Sequence, residues 1–124
     1  MGLDRSIHFA AGNVPSWDAI RTSLIELGFE ASLRMIDNLP AFPDETPEAT
    51  WQELRVGFAS GMVTLRRGSI RISCIVWGNA DEGLRKAWNG LSWACAVASS
   101  GTIETDGGPQ SAAEFARETG LVPS

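Results

Sequence analysis

Few side chains in this 124-residue chain could carry out chemistry. His8 is the only histidine, Lys86 the only lysine, and Cys74 and Cys95 the only cysteines. A single histidine excludes a metal site built on two imidazoles. Two cysteines so far apart in sequence supply neither a CxxC knuckle nor enough soft ligands for structural zinc. A nucleophile needs a base within hydrogen-bond reach and a third group to orient that base. Ser6 shares the strand parity of His8 but has no such third group, and Cys74 takes the opposite, buried parity. Lys86 falls on a helix surface beside Asp81 and Glu82, a poor setting for an imine-forming amine. Those two acids are accounted for by a helix start, where negative charge complements the dipole. Asp44, Glu45 and Glu48 lie in a proline-rich stretch and read as a solubilising surface, or as a contact for a basic partner. The glycine-bearing turns at 77–81 and 105–109 match neither phosphate-loop pattern, and no lysine follows where a phosphate grip would need one. No catalytic residue, metal or cofactor is therefore expected, and the protein reads as a non-enzyme.

Charge narrows the partners. The chain carries a net charge of -5, which opposes nonspecific binding to nucleic acid or to anionic membranes. With 44% hydrophobic and 20% charged residues it has the composition of an ordinary globular protein. A chain of this length is expected to form one α+β domain over residues 1–124. The first residues, MGLDRS, meet the loose acylation pattern with Gly2 as acceptor. Asp4 and the lack of a basic patch make an ordinary chain start the better reading. No basic segment followed by an apolar one opens the chain and no 18-residue apolar run occurs, so a cytoplasmic location is expected. Cys74 and Cys95, each inside an apolar run, read as reduced, buried thiols.

The elements that must position these groups follow from periodicity. Residues 5–10 alternate as a strand, with Ile7 and Phe9 against Ser6 and His8. Trp17, Ile20, Leu24 and Leu27 recur at helical spacing between Pro15-Ser16 and Gly28. A second strand spans 30–36, with Ala31, Leu33 and Met35 on its apolar parity and Ile36 on the other. Residues 37–50 form an exposed, acidic, proline-rich loop, with room for a short helical turn starting at Thr46. Three alternating runs at 54–58, 63–66 and 70–76 make a meander, with Arg67 in a turn. Leu84, Trp88, Leu91, Cys95 and Ala98 then mark a long helix that ends at Gly101, with Asn79 or Asp81 as its cap. A short strand at 102–105 and a turn at 106–109 precede a last helix, whose Ser111 and Glu114 have capping-box spacing and whose far end is Gly120.

Five to six strands and two main helices, in the order β-α-β-β-β-β-α-β-α, suit a two-layer sandwich of a mostly antiparallel sheet with both helices on one face. Alternation then leaves the other face wet. Ser6, His8, Ser32, Arg34, Arg55, Thr64, Arg66, Arg71 and Ser73 belong there, together with Ile36, Met62, Ile75 and Trp77. Arginine and tryptophan are favoured interface anchors. Arg34, Arg55, Arg66, Arg71 and Trp77 are therefore the expected contact set for a protein partner of unknown identity. Trp93, off the core stripe, packs either beneath the loop or the third helix or against a second copy; the sheet face is the other route to a homodimer. Size and charge fit a small antitoxin or immunity-type neutraliser by analogy alone. The alternative is an anionic-ligand binder or enzyme with a pocket between sheet and helices, using His8, Arg55 and Arg71. An exposed Trp77 on a flat face favours the first reading, and a concave pocket with converging polar groups favours the second.

Overall fold

The structure, a computed structural model, describes residues 3–77 and 80–121. The chain enters through strand β1 (Leu3–His8) and helix α1 (Trp17–Glu26), whose first turn is capped by the Ser16 hydroxyl accepting from the Ala19 N–H. Then come β2 (Ser32–Ile36), β3 (Leu39–Pro40), β4 (Glu53–Phe58), β5 (Gly61–Arg67) and β6 (Arg71–Val76). Helix α2 (Glu82–Ala98), strands β7 (Thr102–Thr105) and β8 (Gly108–Gln110) and helix α3 (Ala112–Thr119) complete the order. Asp81 caps α2, and Ser111 and Glu114 form the expected capping box of α3, which ends at left-handed Gly120. Gly2 and Asn79, the proposed acyl acceptor and the alternative cap, lie outside the described residues.

All strands join one antiparallel sheet in the order β3-β2-β4-β5-β6-β1-β7-β8. The fold is α+β, but the sheet has eight strands instead of five or six. Both additions are hairpins hidden in segments that read as loop or turn. Asp37 and Asn38 take φ values of 49° and 68°, the doubly left-handed backbone of a tight hairpin, and fold β3 against β2. A second short turn, at Asp106 and Gly107 and without left-handed backbone at either, returns β8 along β7, with Gly108 at φ 102°. The helical turn expected from Thr46 does not form. One turn, closed by the Trp51 N–H on the Glu48 carbonyl, is not propagated before β4 begins.

One cluster of buried side chains joins α1 (Trp17, Ile20, Leu24), α2 and the strand positions Ile7, Leu33, Leu54, Val56, Val63, Leu65, Ile72, Cys74, Val76 and Ile103. These are the alternate residues that face the helices. α2 lies across β6, β1, β5 and β7, with α1 and α3 packed beside it. The Trp88 indole N–H donates to the Cys74 carbonyl at 2.9 Å, tying α2 to the middle of the sheet. Being flanked on both sides, α2 is buried well beyond a single stripe. Trp93 is only 5% exposed within the core, so it is not the surface aromatic that a contact with a second copy would need.

The helix-free side follows the expected parity with one correction. A β-bulge between Leu33 and Met35 adds a residue to β2. Beyond it Ile36 opposes core-facing Leu54 and packs on the core, while Met35 opposes Arg55 on the open side. Arg67, assigned to a turn, is the last residue of β5; its guanidinium lies 4.9 Å from the ring of buried Trp51.

Candidate functional site

Five strands lay out the open face in register. One row runs Met35, Arg55, Thr64, Ile75, Asp4, and the next runs Glu53, Arg66, Ser73, Ser6. Among the described residues no helix or strand covers these rows; long side chains do. Arg66 reaches over the first row to place its guanidinium 5.8 Å from the Trp77 ring. Beneath that bridge Thr64 and Ile75 are only 4% and 7% exposed, although Ile75 takes no part in the core cluster. Trp77 itself remains 57% exposed. Glu53 holds two of the arginines, Arg66 Nε at 3.2 Å and Arg55 Nε at 3.6 Å. These pairs are solvent-accessible and contribute little to stability, but they orient the guanidinium heads.

Of the expected contact set, Arg55, Arg66 and Trp77 are thus gathered on one surface. Arg71 lies on the same face in register with His8, whose Nε2 is 4.0 Å from Glu104 of β7. Arg34 belongs to the same face and sits at the bulge in β2, its side chain flat across Gly57 of the neighbouring β4. Among the described residues neither the Arg34 nor the Arg71 side chain has an ion pair or hydrogen bond, so both heads are free. Four arginines on this face stand against the carboxylates of Asp4, Glu53 and Glu104, a net of +1 in a chain that totals -5. His8, Arg55 and Arg71, the trio assigned to a pocket between sheet and helices, are on the opposite side from the helices.

Three groups carry more than the sequence suggested. Arg5 shares the parity of Ile7 and so points under the helices. Its guanidinium lies 3.8 Å from the centroid of the Trp88 ring and 4.8 Å from that of Phe115, and donates to Asn89 Oδ1 at 2.9 Å. Burial lowers its pKa below the ordinary value, the charge being partly sustained by Cys74 and Asp106. The parity was legible, but an arginine at a core position reads as an exception until its aromatic partners are known. Asp37 accepts from the backbone N–H groups of Gln52 and Glu53 at 2.7 and 2.8 Å, and so closes the 37–50 loop at its base. Lys86 lines a cleft of about 800 Å³ at one end of the sheet, together with Arg34 and the rings of Phe29 and Phe58. The two thiols meet in the core, where burial, reinforced by contact with Cys74, pushes the Cys95 thiol well above its ordinary pKa. Such thiols are not poised nucleophiles.

The class these observations define is a two-layer α+β protein with an open, arginine-bearing sheet face. Among the described residues no helix is long and apolar enough to cross a membrane. Comparison of the chain with protein-family models, with curated proteins and with solved structures finds no match.

Proposed function

We propose that this protein is a non-enzymatic binding module that docks an acidic protein partner on its open sheet face, acting from the cytoplasm as a neutraliser of the antitoxin or immunity type. The observation that carries this reading is Trp77, more than half exposed just past the end of β6, on a face that no helix or strand among the described residues covers. A large aromatic with a guanidinium near its ring, here Arg66, is the composition of an interface anchor. The free heads of Arg71 and Arg34 supply bidentate donors for carboxylates. Arg55 and Arg66, already held by Glu53, form a preorganised rim that loses little side-chain entropy on docking.

The test is affinity capture from native cells with wild type and with a Trp77→Ala, Arg71→Ala double variant. Mass spectrometry identifies the captured proteins, and urea unfolding verifies that the variant is folded. A partner captured by wild type should fall at least tenfold in the variant, have an acidic surface, and elute as salt rises. An identical captured set from the folded variant overturns the choice of surface.

A further inference from the structure

At the end of the sheet opposite the β5–β6 turn, the start of β2 and the end of β4 meet the C-terminal end of α1 and the first turns of α2. The cleft left there has a volume of about 800 Å³, within the range of small-molecule sites. Three glycines shape it by what they lack. A Cβ on Gly57 would come within 2.6 Å of Arg34 Nε, one on Gly83 within 2.6 Å of Ser60 Oγ, and one on Gly90 within 2.5 Å of the Phe29 ring. The Arg34 side chain therefore lies directly on bare backbone, and the Phe29 ring is slotted against α2. Phe29 also meets Phe58 edge to face, with centroids 6.0 Å apart, giving the cleft an aromatic wall.

The charges lining it are Arg34, Lys86 and Glu30. Among the described residues neither the Arg34 nor the Lys86 side chain has an ion pair or hydrogen bond. Two unengaged cations and one carboxylate leave a positive excess beside an apolar wall, in a protein whose total charge is negative. A guanidinium held flat and an ammonium on a flexible stem can grip one oxyanion together, the first by two parallel donors and the second as a point charge. The partner-binding reading does not account for Lys86, which is outside the open face.

We infer that this cleft binds a small amphipathic anion, with a carboxylate or phosphate head held by Arg34 and Lys86 and an aromatic or aliphatic body against Phe29 and Phe58. Head and body are both required, because Glu30 weakens the attraction for a bare anion and the rings alone offer only a shallow apolar surface.

The test is titration of the full-length, isotope-labelled protein, followed by amide chemical shifts, with four probes: phenylacetate, phenyl phosphate, inorganic phosphate and phenethylamine. Phenylacetate or phenyl phosphate should shift Phe29, Gly57 and Phe58 saturably, and the tighter of the two identifies the head group. Inorganic phosphate should bind at least tenfold more weakly than phenyl phosphate, and phenethylamine should leave these amides unmoved. Lys86 is exposed on α2, so Lys86→Gln should fold as wild type and weaken the tighter probe about tenfold, the loss expected for one charged hydrogen bond. Arg34→Gln, checked by urea unfolding, should do the same. Absence of saturable shifts with both aromatic anions, equal binding of phenethylamine, or unchanged affinity in folded Lys86→Gln overturns the inference. Because Lys86→Gln leaves Trp77 and Arg71 intact, loss of anion binding with partner capture retained separates this site from the proposed interface.

Discussion

Arg5 shows how a charged side chain can belong to a core. Its guanidinium lies against two aromatic faces and has one good hydrogen bond, to Asn89, and a longer one at 3.4 Å to Ser92. The stem fills space between β1 and α2, while the plane of the head stacks instead of demanding a full hydration shell. Packing should therefore outweigh charge. Arg5→Ala, which removes both, is expected to cost about 2–3 kcal/mol in urea unfolding, a loss typical of emptying a packed site. Arg5→Met keeps the volume and the contact of a polarizable atom with the rings, and is expected to cost about 1 kcal/mol. Equal losses in the two variants would mean that the bond to Asn89, which both remove, decides the stability of this corner.

Elements were legible where one residue decides a boundary and obscure where geometry beyond the pattern decides it. Ser16, Asp81 and Ser111 each start a helix as their side chains predict, because a hydroxyl or carboxylate oxygen satisfies an N–H the helix leaves open. The meander 53–76 followed from strict alternation, and with it the shared face of Arg55, Arg66 and Arg71. The bulge in β2 was not legible: one inserted residue reverses parity, and no side chain near Met35 announces it. The hairpin at 37–38 could have been found, since Asp-Asn between Ile36 and Leu39 is a pair that tolerates left-handed backbone, but the prolines beyond it pointed to loop. Lys86 was visible as a residue but not as a wall of a cleft, which depends on how the end of β4 meets α2. Asp37 now has two separable jobs, turn conformation and loop closure. Asp37→Ala should lower stability by about 2 kcal/mol through the two backbone donors it strands at Gln52 and Glu53. Asn38→Gly, which changes only the turn, should remain within about 0.5 kcal/mol of wild type. Chemical denaturation of the two variants checks both values. A neutral Asp37→Ala would show that the hairpin alone holds the loop.

On the scale of the whole molecule, a one-sided sheet of eight strands has two routes to association, its face and its edges. The edges are guarded by a shared device. In a two-residue hairpin the pair flanking the loop exchanges hydrogen bonds and the next pair does not, so the N–H of the next edge residue points outward. That position is Pro40 on β3, opposite Met35, and Pro109 on β8, opposite Glu104. Proline has no N–H to offer there, so each end of the sheet lacks the donor that an added strand would take. The open face is then the route that the edges leave for the proposed partner. Replacing both prolines, Pro40→Val with Pro109→Val, restores one outward donor at each edge and removes nothing from the internal ladder. Monomer stability should change by less than about 1 kcal/mol, while light scattering over a concentration series should show more self-association than wild type at the same concentrations. Trp77→Ala added to the pair should leave that association in place, because it proceeds through the edges. If Trp77→Ala abolishes it instead, the face is the self-adhesive surface and the prolines are incidental to solubility.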